Sequence, residues 1–111
     1  MVYAEDAVAA RAFFRDVLGF PYVDDGGGWL IFQLPPGELG VHDSDPALPG
    51  GRHEVYLMCD DLAATVADLR GHGLDVTEPS DEGWGTLVTG TVPGLGPIGV
   101  YQPKHRTAHD L

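Results

Sequence analysis

The sequence predicts an α+β fold in which two βαβββ modules follow one another and form curved mixed sheets around a cleft. Three observations support this prediction. The two halves match at an offset of 55 residues, each half begins with a short strand and a helix, and three strand-like runs follow each helix. The matching pairs include Asp6 with Asp61, Ala9 with Ala64, Arg15 with Arg70 and Trp29 with Trp84.

The predicted organisation is a single domain, because a chain of 111 residues can bury one core but has no room for a second one. We place module 1 at about 1–43, a linker at 44–51, module 2 at about 52–103 and a tail at 104–111. Proline and glycine are frequent in the linker, as is typical of a loop.

Module 1 begins with a predicted strand at 2–4. The acids Glu5 and Asp6 follow it and suit the positive end of a helix, and Gly19 supplies the stop signal. Apolar residues recur at helical spacing between these signals, at Val8, Ala12, Phe13 and Val17. Turns rich in glycine and proline then separate three predicted strands, at 22–24, 29–34 and 39–42.

Module 2 repeats this order. Its predicted first strand at 54–59 runs into Asp60 and Asp61, and Gly71 or Gly73 ends the helix. The apolar positions of this helix are Leu62, Val66 and Leu69. Three strands are predicted after it, at 75–78, 86–91 and 98–101.

Composition excludes several classes of partner. The chain has 6 Lys and Arg against 17 Asp and Glu, a formal net charge of −11, so nucleic acid and anionic membranes are poor partners, whereas a cationic ligand is attracted. No apolar run approaches the ~20 residues that span a bilayer, and we expect a cytoplasmic protein. The single cysteine, Cys59, lies in an apolar run and is expected to be a small buried residue without a catalytic role.

Several motifs together resemble one family. They are AARAFFRDVLGF, GGGWLIF, LGVHDSD, HEVYLMCDDLAATVADL, DEGWG and GVYQPKH. These motifs resemble the vicinal oxygen chelate superfamily, which includes glyoxalase I, extradiol dioxygenases, fosfomycin resistance enzymes and bleomycin resistance proteins. The resemblance implies paired βαβββ modules, a homodimer and a ligand cleft. In metal-using members it also implies a His on the first strand of each module and a Glu on the last.

These implied metal positions are largely missing. Counting seven residues back from Asp61 reaches Glu54, with His53 one position away, and the same count from Asp6 runs past Met1. The two Glu positions match Gly40 and Gly99, which have no side chain to bind an ion. We therefore predict no metal and no cofactor. If a metal binds, the candidate ligands are Glu54, His42 and His53.

Strand alternation predicts what remains in the cleft. With Glu54 facing it, Tyr56 and Met58 do so as well, and the intervening residues pack under the helix at Val55, Leu57 and Cys59. The predicted ligand-binding residues are Tyr3, Trp29, His42, Glu54, Tyr56, Met58, Trp84 and Tyr101. Aromatic walls with a carboxylate suit a flat or cationic molecule. A structural interpretation stays open: the tryptophans fill the ends of the cores and the tyrosines form packing pairs. A carboxylate on this face requires a partner such as Arg52, His42 or a ligand, and a bond from Glu54 to a neighbouring strand or to the partner subunit is an equal alternative to a ligand role.

Three functions follow as hypotheses. The first is a metal-free protein that binds or sequesters a small organic molecule, as in bleomycin resistance. The second is a metal-dependent glyoxalase, lyase, isomerase or dioxygenase with unusual ligands. The third is a metal-free acid-base enzyme, with catalytic candidates Glu54, His42 and Tyr101. The remaining histidines are interpreted as surface residues, at His72, His105 and His109.

Overall fold

The computed structural model describes residues 1–41, 43, 47 and 53–111. In chain order, its helices are α1 (Ala7–Ala12), which continues as a π-helical turn (Phe13–Val17), and α2 (Leu62–Gly71). Its strands are β1 (Tyr22–Asp24), β2 (Leu30–Phe32), β3 (Tyr56–Met58), β4 (Ser80–Asp81), β5 (Gly85–Val92) and β6 (Gly96–Pro103). Helices and mixed strand pairing confirm the predicted fold class.

The second half has the predicted order of elements. Its four strands lie in the order β3-β6-β5-β4, with β3 parallel to β6 and the other pairs antiparallel. The strand predicted at 75–78 is reduced to an isolated bridge between Val76 and Gly90. A short strand at 80–81 takes the edge position instead.

The first half differs from the prediction. Of its four predicted strands it forms two, and these pair as an antiparallel hairpin, β1-β2. Residues 2–4 and 39–41 are not in strands, and His42 lies outside the described residues. Pro35 and Pro36, which precede the predicted last strand, have no amide hydrogen to give a neighbouring strand.

Both helices begin as the acidic pairs predict. The side chain of Asp6 accepts a hydrogen bond from the amide of Ala9, and that of Asp61 accepts one from Ala64, each at 3.1 Å. The second acid of each pair is therefore the helix N-cap, which satisfies an amide that has no partner within the helix. This equivalence is a structural counterpart of the sequence repeat.

The core joins the two halves. Phe13 is 3% exposed and packs in one cluster with residues of the second half. The amide of Asp6 also donates to the carbonyl of Gly94, at 3.0 Å. The buried members of the cluster are Phe13, Leu62, Val66, Leu69, Leu74, Val76, Val88, Val92, Ile98 and Val100. One face of the four-stranded sheet is thus covered, and the other face is available to form a site.

Across the described residues, no helix is both long enough and apolar enough to cross a membrane.

Candidate functional site

The site lies on the sheet face that points away from the core, which we call the open face. Alternation along β3 and β6 sets it: Leu57 pairs with the buried Val100, whereas Tyr56 pairs with Gly99. Leu57 and Cys59 pack against the core, as the predicted register requires. The prediction is wrong for Val55, which precedes β3 and is 54% exposed because no helix covers the chain there.

Three aromatic rings form a cluster on the open face, which we call the aromatic triad: Tyr56, Trp84 and Tyr101. Each pair meets edge to face, with ring centroids 6.3 Å apart for Tyr56 and Trp84, 6.1 Å for Tyr56 and Tyr101, and 5.0 Å for Trp84 and Tyr101. Tyr56 and Trp84 remain 44% and 42% exposed. The triad therefore combines favourable ring geometry with surface that a ligand can cover.

The ring of Tyr56 lies directly over Gly99. A Cβ added at Gly99 would overlap this ring, although an added Cβ at Gly90, on the neighbouring strand, would meet Leu74 at an ordinary 3.7 Å. Gly99 is the position where the resemblance implies a metal-binding Glu. A Glu there would require Tyr56 to move, so the aromatic ring takes space that a metal-using member gives to a ligand.

Glu54 and Tyr56 are joined at the edge of the triad. The hydroxyl of Tyr56 donates to Oε2 of Glu54 at 2.8 Å. Glu54 is exposed in the structure, so its carboxylate keeps part of its hydration. The partners considered from the sequence, Arg52 and His42, lie outside the described residues. A neighbouring phenol was not predicted, although strand alternation places residues 54 and 56 on one face.

The C-terminal tail reaches the same face. The ring of His105 lies beside Tyr101, with Nε2 at 3.4 Å from the hydroxyl oxygen. The carboxylate of Glu38 accepts hydrogen bonds from the amides of Ala108 and His109, and His109 Nδ1 is 3.4 Å from it. His105 and His109 are exposed, as the surface assignment predicts, and both also contact groups at the cleft. His72 does lie on the surface, with its side chain 44% exposed.

A sequence signal for His105 existed. Residues 101, 103 and 105 share a face if the chain stays extended, and β6 continues to Pro103. Glu38 had no such signal, because it is a single acid in a glycine- and proline-rich segment, 71 residues from its contact at His109.

The electrostatics of the tail follow from these contacts. Burial opposes ionisation of Glu38, but the hydrogen bonds from the amides of His109 and Ala108 favour the charged form, and the pKa of this carboxyl is lowered. Burial, with a smaller contribution from the negative charge of Glu38, raises the pKa of the Tyr101 hydroxyl. Glu38 is therefore a stable anion and Tyr101 a stable phenol at neutral pH.

The single lysine of the chain, Lys104, is paired with a carboxylate. Lys104 Nζ lies 2.9 Å from a carboxylate oxygen of Asp81. The amide of Gly83 and this lysine both lower the pKa of Asp81. Lys104 is therefore already paired outside the cavity, and the cavity itself is lined by Arg106 as well as by Glu38 and Glu54.

These groups border a cavity of about 1720 Å³, which also extends to core residues such as Leu74 and Val100. Among its lining residues are Glu38, Glu54, Tyr56, Met58, Trp84 and Tyr101. Five predicted ligand-binding residues therefore lie together: Glu54, Tyr56, Met58, Trp84 and Tyr101.

Two other predicted residues lie elsewhere. Trp29 stands beside Arg11, whose guanidinium carbon is 5.7 Å from the ring centroid, and Trp29 does not line the cleft. Tyr3 is 89% exposed and also lies outside the lining. The missing strand at 2–4 explains the position of Tyr3, because no sheet holds its side chain toward the open face.

The described residues do not supply the metal ligands that the resemblance implies. No group of three His, Cys, Asp or Glu side chains in the described part of the chain is arranged to hold an ion. Gly40 and Gly99 stand at the Glu positions, and Glu54 is bonded to Tyr56. His53 is exposed, and His42 lies outside the described residues.

Comparison with solved structures gives matches over nearly the whole chain. TnmS3, an antibiotic binding protein from Streptomyces sp. CB03234, is 30% identical, with a TM-score of 0.67 and coverage of 93% of this chain and 91% of that one. A bleomycin resistance determinant encoded on the transposon Tn5 is 24% identical, with a TM-score of 0.61 and coverage of 94% of both chains. Lactoylglutathione lyase from Agrobacterium tumefaciens is 22% identical, with a TM-score of 0.61 and coverage of 91% and 88%. The last two matches show the fold alone.

The family follows from the sequence comparison. No curated protein sequence matches the chain. Residues 1–92 match the family described as the glyoxalase/bleomycin resistance protein/dioxygenase superfamily. The chain therefore belongs to this superfamily.

Proposed function

We propose that this protein binds a planar aromatic, cationic small molecule in the cleft of the open face and holds it without chemical change. The observation that carries the proposal is the aromatic triad, two of whose rings are more than 40% exposed beside the carboxylate of Glu54. Exposed aromatic edges and faces next to a carboxylate bind flat cations by stacking, cation–π contact and ionic hydrogen bonds. The 30% identity to an antibiotic binding protein supports a binding role.

We also propose that the protein uses no metal. The support is the absence of side chains at Gly40 and Gly99 and the Tyr56 ring that covers Gly99. The proposal further includes a homodimer in the cytoplasm and a role in antibiotic resistance by sequestration. Exposed apolar side chains in the first half support self-association, among them Ile31, Leu34, Leu39 and Val41.

The test is a binding titration with 9-aminoacridine, a flat fluorescent cation, compared with 9-anthracenecarboxylate, a flat anion. We expect stoichiometric binding of the cation, weak binding of the anion, and recovery of the cation unchanged after extraction. Equal affinity for both dyes, or binding of neither, contradicts the proposal.

The two tryptophans provide a matched pair of variants. Trp84 and Trp29 are 42% and 43% exposed, but only Trp84 belongs to the triad. Trp84→Ala should weaken binding of 9-aminoacridine about tenfold, the effect of one ring contact. Trp29→Ala should leave affinity nearly unchanged. Equal weakening by both variants would favour the pocket predicted from the sequence, which contains both tryptophans, and weakening by Trp29→Ala alone would contradict the triad as the ligand site.

Metal is tested separately. Protein purified without a chelator or a histidine tag should contain no stoichiometric ion, and its thermal melt should not shift with nickel, zinc, manganese or ferrous iron. A large stabilisation by one of these ions would mean that it binds the native state, and a lyase or dioxygenase assay would follow.

A metal-free acid-base enzyme is the second candidate, because His105 contacts Tyr101 inside the cleft. It predicts that the bound molecule is converted in the presence of a chelator, with loss of turnover in Tyr101→Phe. Recovery of only the unchanged molecule supports the binding role.

A further inference from the structure

The contact between Tyr101 and the tail contains information about the hydrogen bonds that a ligand must make. His105 has a nitrogen on each side of its ring. Nδ1 is 2.9 Å from the carbonyl oxygen of Arg106, and Nε2 is 3.4 Å from the hydroxyl of Tyr101. The roles of donor and acceptor in these two contacts depend on which nitrogen carries the proton.

The carbonyl of Arg106 fixes that choice. A carbonyl oxygen has no hydrogen, so Nδ1 of His105 must be the donor in this bond. A neutral imidazole carries one proton, and Nε2 is then an acceptor. The hydroxyl of Tyr101 is therefore the donor to His105. Burial raises the pKa of this phenol, so it keeps the proton that the bond requires.

Tyr56 has the same arrangement. Its hydroxyl donates to the carboxylate of Glu54, which can only accept when ionised. A phenol has one proton, and both tyrosines of the triad direct theirs to an acceptor of the protein itself. The oxygen of Tyr101 keeps lone pairs, so toward a ligand it acts as a hydrogen-bond acceptor.

Glu38 holds the tail in the position that this arrangement needs. Its carboxylate accepts from two consecutive tail amides, those of Ala108 and His109, and its side chain is 14% exposed. His105 lies in the same tail, three residues before Ala108. Glu38 acts through the tail and is a positioning residue.

We propose that His105 and Glu38 give the site the character of a hydrogen-bond acceptor, and that the preferred ligands are planar aromatic cations that carry N–H or O–H donors. This inference rests on the proposed function. It restricts the ligand class further, because a flat cation without a donor should bind through its rings and charge alone.

Two dyes separate these contributions: 9-aminoacridine is a flat cation with N–H donors, and 10-methylacridinium is a flat cation without them. We expect the wild-type protein to bind 9-aminoacridine about tenfold more tightly, the effect of one hydrogen bond. The ratio of the two affinities is the readout, since a general loss of structure lowers both together.

The variants act on the acceptor directly or through its position. Tyr101→Phe removes the oxygen and should bring the ratio close to one. His105→Phe leaves the oxygen but frees the tyrosine proton to point toward the ligand, and it should lower the ratio. Glu38→Gln should lower the ratio less, because both tail amides donate to Oε2 of Glu38 and a neutral amide oxygen can accept in its place, though more weakly. The matched control is His72→Phe: Nδ1 of His72 also contacts a backbone carbonyl, that of Asp68 at 2.9 Å, but outside the cleft. Its ratio should equal the wild-type value.

A spectroscopic measurement is independent of any variant. A long-range ¹H–¹⁵N correlation spectrum near neutral pH should show His105 protonated at Nδ1 and unprotonated at Nε2. The opposite tautomer overturns the inference, as does an unchanged dye ratio in His105→Phe.

The proposed function fails in a different way. If neither dye binds, or if Trp84→Ala leaves the affinity for 10-methylacridinium unchanged, the triad is not the ligand site. If both dyes bind through Trp84 with equal affinity in the wild type, the site binds flat cations but the inference about donors is wrong.

Discussion

Gly99 provides the sharpest test of the site geometry. The substitution Gly99→Ala adds a methyl group where the Tyr56 ring lies, whereas Gly90→Ala adds one at 3.7 Å from the Cδ2 of Leu74. Both glycines lie within strands, Gly99 on β6 and Gly90 on β5, and neither has a positive φ angle. The pair therefore differs mainly in what the new methyl group contacts.

The expected magnitude can be worked out from the contacts of Tyr56. Displacing the ring weakens two edge-to-face contacts at 6.3 and 6.1 Å and the hydroxyl bond to Glu54 at 2.8 Å. At a partly exposed site we take about 0.5 kcal/mol for each of the three. Alanine restricts the unfolded chain and returns about 0.5 kcal/mol. Gly99→Ala should therefore lower the free energy of unfolding by about 1 kcal/mol, and Gly90→Ala should raise it by about 0.5 kcal/mol.

The assay is urea unfolding followed by tryptophan fluorescence and circular dichroism at one fixed protein concentration. The decisive comparison is Gly99→Ala in a Tyr56→Ala background, where the methyl group has room and the loss should vanish. The reasoning is refuted if Gly99→Ala is as stable as Gly90→Ala. It is equally refuted if the loss persists without the Tyr56 ring.

Three further predictions concern other parts of the chain. Burial, and to a lesser degree the charges of Asp60 and Asp61, raises the pKa of the Cys59 thiol. Iodoacetamide should therefore alkylate Cys59 at least tenfold more slowly than it alkylates glutathione, as followed by mass spectrometry. An equal rate would contradict the burial of this thiol. The pKa of Glu38 in the folded protein lies below 4.5, the ordinary pKa of a glutamate. Its hydrogen bonds to the tail are therefore intact above pH 4.5, and they are lost as the pH falls through the lowered pKa of the folded state. The amide shift of His109 should report this titration in NMR spectra, and a titration that persists in Glu38→Gln would assign it to another group. Gly94→Ala should destabilise the protein by about 2 kcal/mol or more, because φ is +76° and the new Cβ would overlap Asp6. Gly96→Ala is the control, because Gly96 also has a positive φ but has open space around it. An equal loss of stability in both variants would mean that the overlap with Asp6 contributes nothing.

Local patterns predicted much of the second half. The strand at 86–91 is observed as Gly85–Val92, and that at 98–101 as Gly96–Pro103, because alternation along a strand fixes both its presence and its buried face. The prediction failed at 2–4 and 39–41, where strand-like residues form no strand. A strand requires a partner for its amides and carbonyls, and composition does not say whether one is in reach.

Some residues of the candidate site were predicted correctly from the sequence and one was not. Tyr56 and Tyr101 were predicted on the open face, since their strands have a clear register. Trp29 was assigned to the cleft as a large side chain on the strand predicted at 29–34. The structure places Trp29 against Arg11, because the first half lacks the strands that would hold it over the sheet.

The sequence by itself determined the family, the helix caps at Asp6 and Asp61, the buried faces of β3 and β6, and the missing side chain at Gly99. Each of these depends on residues close together in the chain, whose periodicity and chemistry act locally. Tertiary structure decided the packing of Phe13 into the second-half core, the Tyr56 ring over Gly99, and the tail contact of Glu38 across 71 residues. These contacts join residues that are far apart in the sequence, and the packing of the whole chain decides which of them meet.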